Sequence, residues 1–289
     1  MVPGHTEGMS QAEIPLAGGV ANKGAVVRIG DTVRRPTGPW SATTRALLVH
    51  LEAVGFTEAP RYLGTDEAGR DVLSYIAGDV PVPPFPKWSM TDGVLVEVAH
   101  LVGRFHEAAA SFEPSPDIVW SSELADPDGG SVVCHNDICP ENVVFSEGRA
   151  IGLLDFDFVS LGRAMWDAVR TISMWAPMSA PESRQGFPDS LDVIDRFGRF
   201  VRAFGIEASD AESAVSTLFQ SWAVGQRFVR RHVDAEEAPF IEMFERGGGA
   251  VRWRRNAAWS EQHRAAMVRA VENGSGGTNR VAEAAPPSR

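Results

Sequence analysis

Residues 132–157, with the sequence VVCHNDICPENVVFSEGRAIGLLDFD, constrain the fold of this chain more than any other segment. Two valines at 132–133 predict a short strand that enters a polar loop, and two further apolar runs predict a β-hairpin over 143–154. Asn142 directly precedes this hairpin and Asp155 directly follows it. Because a hairpin brings its two open ends side by side, we expect these two side chains to lie close together.

The polar loop has the spacing H-x-D-x-x-x-x-N, formed by His135, Asp137 and Asn142. An amide oxygen from Asn142 and a carboxylate from Asp155 are ligands that Mg²⁺ accepts together with substrate phosphates. Asp137 is then left to face a nucleophile, and in phosphoryl transfer such a carboxylate orients a hydroxyl and takes its proton. We expect His135 to brace the loop. Asp157 is a further carboxylate that would hold a second metal or a cationic acceptor, or cap the following turn.

These motifs resemble those of the aminoglycoside phosphotransferase and choline kinase-like family of small-molecule kinases, which have the protein-kinase-like fold. The segment 162–167, GRAMWD, is similar to the family's G-x-x-x-x-D pattern after the metal aspartate. Upstream, the segment 16–22 is similar to the family's short nucleotide loop and contributes Gly18 and Gly19. The resemblance extends over about residues 11 to 175.

The resemblance implies a two-lobed α+β fold and transfer of the ATP γ-phosphoryl group to a hydroxyl of a small molecule, with an aminoglycoside-like antibiotic as one candidate. It implies that Asp137 is the catalytic base and that ATP and Mg²⁺ are the cofactors. Asn142 and Asp155 would bind the metal. His135 and Asp167 would support the loop.

The third predicted strand, 32–35, departs from the kinase pattern because it has no lysine to contact the nucleotide phosphates. Alternation along a strand directs only one of its two arginines toward the cleft. Similarity to relatives with an arginine in this strand favours Arg34, with Arg35 as the alternative. The following predicted helix, 40–56, offers only Glu52, near its end, as a partner for such a cation. These departures motivate a rival hypothesis: a catalytically weak kinase-like immunity protein that sequesters a toxin or antibiotic.

The order of predicted elements divides the chain into a flexible tail (1–10), a nucleotide-binding lobe (11–76), a catalytic and substrate lobe (77–271) and a disordered tail (272–289). The first lobe ends at Ser74-Tyr75-Ile76, where the family binds the nucleotide between its lobes, so Ser74 and Ile76 are expected nucleotide contacts. A proline-rich stretch at 81–86 would cross to the second lobe.

Helical periodicity predicts helices over 91–112, 191–204, 211–229, 240–246 and 250–271. The intervening stretch 174–188, rich in proline, methionine and small residues, has the length of a lid or substrate loop. The last helix interleaves arginines with tryptophans. This pattern is typical either of an anion- or nucleotide-binding surface or of tryptophans packed on the core with arginines meeting acidic neighbours.

A formal net charge of −11 argues against nucleic acid as the main partner, because phosphate binding needs a basic surface. This charge is compatible with a cationic substrate, and equally with an acidic surface that keeps the protein in solution. No apolar run reaches the roughly 18 residues of a membrane span, and no secretory signal is evident. Cys134 and Cys139 fit no zinc spacing and are expected to be reduced in a cytoplasmic protein. The sequence leaves the acceptor and the oligomeric state open.

Overall fold

The computed structural model describes residues 12–16 and 25–273 and has an antiparallel sheet followed by a largely helical part. The five strands lie in the order β1-β2-β3-β5-β4. Val33 lies opposite Leu73 in this register, and both pack on the hydrophobic core. The strands are β1 Ile14–Pro15, β2 Val27–Ile29, β3 Thr32–Arg35, β4 Tyr62–Thr65 and β5 Asp71–Ser74.

Helix α1, Ser41–Ala53, is inserted between β3 and β4. Its buried leucines, Leu47, Leu48 and Leu51, join the core, which explains why this stretch is helical despite few strong capping contacts. On the same helix the Thr44 hydroxyl donates to the carbonyl of Phe156 at 3.1 Å. The helix is thereby fixed against the loop that follows Asp155.

The helical part is organised around α2, Asp92–Ala109, which packs against α3, α4 and the strand β8. The Thr91 hydroxyl caps α2 by accepting from the Val94 backbone nitrogen at 3.3 Å. The remaining helices are α3 Ala164–Trp175, α4 Val193–Phe204, α5 Ala211–Asp234, α6 Ala238–Arg246 and α7 Gly249–Glu272.

Two small antiparallel pairs lie between α2 and α3. Strands β7, Val143–Ser146, and β8, Arg149–Leu153, form the predicted hairpin. Its turn residues Glu147 and Gly148 have φ angles of 51° and 78°, as a tight two-residue hairpin turn requires. The second pair joins β6, Val132–Cys134, to β9, Ser160–Gly162, which the sequence analysis did not predict.

The chain between the sheet and the helical part is hydrogen-bonded to the β7–β8 hairpin. The backbone nitrogen of Asp79 donates to the carbonyl of Phe145 at 2.8 Å, and the Phe145 nitrogen donates back at 2.8 Å. A side chain at Gly78 would clash, because a Cβ there would lie 2.5 Å from the Phe145 carbonyl oxygen. Glycine is therefore needed for this close approach.

The predicted α+β class, with an N-terminal sheet and a helical remainder, is confirmed. Gly18, Gly19, the tail 1–10 and all but the start of the tail 272–289 lie outside the described residues, and the predicted lobe boundaries stay predictions. Within the described ranges, no helix combines the length and apolar character that a bilayer crossing needs.

Candidate active site

The polar loop after β6 is held by Asp167, a fully buried residue in the first turn of α3. Its carboxylate accepts from the backbone nitrogens of His135 at 2.9 Å and Asn136 at 2.8 Å, and from the His106 ring at 2.9 Å. Burial opposes ionisation, yet the hydrogen bond and charge of His106 and the backbone hydrogen bond from His135 hold the pKa of Asp167 below its ordinary value. The geometry agrees with the expected loop-supporting part for Asp167.

His135 is fully buried and connects the loop to the end of the hairpin. Its Nδ1 lies 3.3 Å from the backbone nitrogen of Asp137, and its Nε2 lies 3.1 Å from the carbonyl of Leu154. Burial lowers the pKa of His135 to about 4, so the ring is neutral near pH 7, with Nδ1 accepting and Nε2 donating. Both ring nitrogens are occupied, which suits a bracing residue.

Asn136, which the sequence analysis missed, fixes the shape of the loop. Its backbone is left-handed, with φ at 68°, a conformation that asparagine tolerates better than most residues. The buried side-chain amide donates to the Phe158 carbonyl and the Ser160 hydroxyl, both at 2.8 Å, and accepts from the Trp166 indole at 2.9 Å. Its place between the two motif residues is the only hint in the sequence.

Asp137 and Asn142 contact each other directly. The Asn142 amide nitrogen donates to the Asp137 backbone carbonyl at 2.9 Å and to its carboxylate at 3.1 Å. These bonds leave the amide oxygen of Asn142 as the atom able to bind a cation. Burial raises the pKa of Asp137 to about 6, although the nearby Arg170 guanidinium and the Asn142 hydrogen bond oppose this.

Asp155 lies next to Asn142 because the Leu154 backbone nitrogen donates to the Asn142 carbonyl at 2.8 Å, as expected for the ends of a hairpin. Burial and the neighbouring charge of Asp157 raise the pKa of Asp155 to about 7. Arg35 lies 3.4 Å from Asp155 and forms a closer ion pair with Asp157. The site is therefore rich in carboxylates, and Arg35 offsets their repulsion only in part.

The preference for Arg34 as the cleft-facing arginine was wrong. Arg34 lies on the opposite face of β3, where it donates to the Thr32 hydroxyl at 2.6 Å and lies 3.7 Å from Asp66. Arg35, the alternative, points toward Asp155 and Asp157. The physical reason is packing: Val33 packs on the hydrophobic core, and because side chains alternate along a strand, Arg35 lies on that same face and Arg34 on the other.

The residues present fit a magnesium ion that is completed by substrate phosphates. Among the described residues, no three His, Cys, Asp or Glu side chains form a ready-made metal site. Magnesium is usually bound by only one or two carboxylates plus phosphate oxygens and water, so the carboxylates of Asp155 and Asp157 with the Asn142 amide oxygen form a suitable set. Both cysteines near the loop are free thiols.

The two expected nucleotide contacts lie in different surroundings. The Ser74 hydroxyl accepts a hydrogen bond from the Arg61 backbone nitrogen at 2.8 Å, so this side chain is already bonded to the chain just before β4. Ile76 lies over the hairpin, where a Cβ on Gly152 would come within 3.0 Å of its side chain. Between them, Tyr75 is covered by the Arg28 guanidinium at 3.8 Å. Ile76 is thus an apolar side chain beside strand β8, and nucleotide contact by either Ser74 or Ile76 stays a prediction.

A cavity of about 910 Å³ opens on the helical side of the loop, between α3, α5, α6, α7 and the loop that follows α3. Arg170 lines this cavity and also donates from Nε to the Asn136 carbonyl at 2.9 Å. Arg170 was not predicted from the sequence; it is 8% exposed and lies on α3, the helix that also carries Asp167. The predicted substrate loop contributes Met178, Ser183 and Phe187 to the wall.

Comparison with known proteins gives one family match and one curated relative. Residues 83–199 match the model of APH, a phosphotransferase enzyme family. A trifolitoxin immunity protein from Rhizobium leguminosarum bv. trifolii is 38% identical over 165 residues, which is 53% of this chain and 61% of that protein. The aligned part of the chain therefore spans about three fifths of the length of this relative.

Solved structures share the fold. A choline/ethanolamine kinase family protein from Mesorhizobium loti superposes with a TM-score of 0.60 at 17% identity, covering 93% of this chain and 95% of that chain. Aminoglycoside 2'-phosphotransferase-IIIa, determined as its GDP complex, superposes with a TM-score of 0.52 at 13% identity, covering 90% and 94%. Residues 83–199 are thus similar to the APH phosphotransferase family, and the chain has the fold of the choline kinase-like and aminoglycoside phosphotransferase structures.

Proposed function

We propose that this protein transfers the γ-phosphoryl group of ATP to a hydroxyl group of a small molecule. The observation that carries the proposal is the contact of Asn142 with the Asp137 carboxylate at 3.1 Å, beside Asp155 at the end of the hairpin. Kinase-type phosphoryl transfer needs a carboxylate facing the acceptor next to an amide and a carboxylate that face the metal.

In the proposed step, the acceptor hydroxyl oxygen forms a bond to the γ-phosphorus, and the bond between that phosphorus and the β–γ bridging oxygen breaks. ADP leaves with the electron pair, and the hydroxyl proton passes to the Asp137 carboxylate. The raised pKa of Asp137, about 6, leaves it mostly ionised near pH 7 and makes it a better proton acceptor than an ordinary aspartate.

Asn142 and Asp155 would hold magnesium, with Asp157 as a further carboxylate in reach. When bound, the metal neutralises charge on the phosphates during transfer. Arg35 would take the place of the strand lysine of related kinases, since its guanidinium already faces both carboxylates. His135, Asn136 and Asp167 would position the loop without touching the reacting atoms.

Immunity to a toxin is a second candidate, favoured by the immunity protein that is 38% identical over 165 residues. The helix α1 also lacks the glutamate that pairs with the strand cation in kinases, and instead Arg45 binds Asp71 of β5 at 2.7 Å. Immunity would arise either from phosphorylation of the toxin or from binding alone. Only the first route needs the oxygen ligands around Asp137.

Incubation of the purified protein with radiolabelled ATP, Mg²⁺ and a panel of hydroxyl compounds, toxins and aminoglycosides tests the proposal. We expect a labelled acceptor that depends on Mg²⁺ and is lost in the Asp137→Asn variant. If a toxin binds tightly but no labelled product forms, and Asp137→Asn binds it equally well, sequestration is the function and phosphotransfer is rejected.

A further inference from the structure

The charged residues around the 910 Å³ cavity are mostly basic. Arg170, Arg246, Arg252 and Glu261 are the charged side chains of its wall. Glu261 is exposed, and Arg246 is exposed and paired with Glu242 on its own helix. The less accessible charges are therefore two arginines, Arg170 at 8% exposure and the half-buried Arg252.

Within residues 12–16 and 25–273, neither of these guanidinium groups has a carboxylate within 4.0 Å. Arg170 donates to the Asn136 carbonyl and lies 5.9 Å from the centre of the Trp166 ring. Burial lowers the pKa of both arginines, and Arg255 lowers that of Arg252 further. Arg196 differs, because this buried arginine has Asp92 at 3.6 Å. The charges of Asp137 and Asp167 act on Arg170 from farther away and offset it in part, whereas the charge that acts on Arg252 is another cation, Arg255. An inward cation such as Arg252 is costly unless a ligand supplies the anion.

The rest of the wall suits an organic molecule. Phe219, Trp222 and Trp253 provide aromatic surface, and Ser173 and Asn256 provide polar groups. The cavity therefore offers cations, polar side chains and aromatic surface together.

We infer that the cavity binds an anionic acceptor, a hydroxyl compound that also carries a carboxylate, and that it disfavours polycationic aminoglycosides. This inference rests on the proposed function, because it takes the cavity beside the catalytic loop as the acceptor site. Arg252 would pair with the carboxylate, and Arg170, which contacts the loop, would lie nearer the hydroxyl. The net charge of −11 is compatible with a cationic substrate, but the local charge of this cavity outweighs it.

Calorimetric titration of the Asp137→Asn protein without nucleotide tests the inference independently of turnover. The probes are gluconate against its neutral counterpart sorbitol, a seryl tripeptide with a free carboxyl terminus against its C-terminal amide, and kanamycin. We expect at least one acid to bind about tenfold or more tightly than its neutral counterpart, as a charge-assisted hydrogen bond gives. The pair that shows this preference identifies a sugar acid or a peptide as the source of the carboxylate.

Arg252→Met should abolish the preference for the acid, and Arg252→Lys should retain most of it. Arg254→Met is the matched control, because Arg254 is exposed on the same helix and does not line the cavity. Failure of both acids to bind, tighter binding of kanamycin, or an unchanged preference in Arg252→Met overturns the inference. Acid preference without any phosphorylated product rejects phosphotransfer alone, whereas efficient phosphorylation of kanamycin rejects this inference alone.

Discussion

Arg35 and Asp157 form an ion pair although 122 positions separate them in the sequence. The pair joins strand β3 of the sheet to the loop after the hairpin, and Asp155 lies 3.4 Å from the same guanidinium. Arg35 is only 12% exposed, so solvent screens this contact less than a surface ion pair. A bound magnesium nucleotide would therefore share Arg35 with both carboxylates.

Substitution of either neighbouring arginine, Arg34 or Arg35, by methionine should affect the KM for ATP unequally. Arg35→Met should raise the KM for ATP about 10- to 100-fold, the cost of losing charge-assisted hydrogen bonds to phosphate. Arg34→Met, which removes a side chain on the opposite face of β3, should change KM by less than about threefold. Steady-state kinetics with varied ATP measures both. Equal effects of the two variants would show that Arg35 has no special part in nucleotide binding.

Removal of the proposed base should affect turnover and spare binding. We expect Asp137→Asn to lose about 10²- to 10⁴-fold in kcat, because a positioned general base contributes that much. Nucleotide affinity, measured by equilibrium titration, should remain. Glu141→Gln, four residues along the same loop, is the control and should stay close to wild type. Near-normal turnover of the Asp137→Asn variant would exclude Asp137 as the general base.

The pH dependence of the rate should report the ionisation of Asp137. Burial raises its pKa to about 6, and the base acts only when ionised, so kcat/KM for the acceptor should fall about tenfold per pH unit below this value. Above about pH 7, where Asp137 is ionised, the titration of this residue should no longer change kcat/KM. A profile that stays flat down to pH 5 would contradict the assignment.

The stability of the metal-free protein should improve when Asp155 loses its charge. Its pKa is raised to about 7, so the stabilisation from its protonated form is fully present below about pH 4 and is lost as the pH rises through about 7. In EDTA at pH 8, Asp155→Asn should therefore melt roughly 2–4 °C higher than wild type, a modest gain since the side chain is 30% exposed.

The same comparison in excess magnesium provides the contrast. Added Mg²⁺ with a nucleotide should raise the melting temperature of wild type more than that of Asp155→Asn, because the variant has lost a ligand. At pH 4, where Asp155 is protonated in the folded protein, the two proteins should melt together. An Asp155→Asn protein that melts lower than wild type at pH 8 in EDTA would contradict the charge crowding described for this site.

The sequence predicted elements whose signals are local. Thr91 caps the helix that begins at Asp92, and the hairpin turn at Glu147-Gly148 lies within the predicted hairpin. Strand β9, Ser160–Gly162, was missed because three residues without alternation carry no strand signal, and its existence depends on pairing with β6. Local sequence patterns therefore predict single helices and turns better than they predict which distant strands pair.

At the site, the H-x-D-x-x-x-x-N spacing and the hairpin that follows it were sufficient to predict that Asp137, Asn142 and Asp155 lie together. The preference for Arg34 over Arg35 was wrong because the face that a β3 side chain occupies depends on how the whole sheet packs, which the strand's own sequence does not show. Arg170 was missed for a similar reason. A buried arginine within a helix has no sequence pattern of its own, and only the fold reveals that Arg170 contacts the loop.

The two hydrogen bonds between Asp79 and Phe145 have a mechanical consequence. They tie the connecting segment to the same hairpin whose ends carry Asn142 and Asp155, and the tight fit at Gly78 reinforces this attachment. The Leu153 nitrogen also donates to the Glu58 carbonyl at 2.8 Å, so the hairpin is bonded both to the connecting segment and to the stretch between α1 and β4. The hairpin end with Asn142 and Asp155 is therefore anchored from two sides by backbone bonds that do not depend on the ion pairs of Arg35.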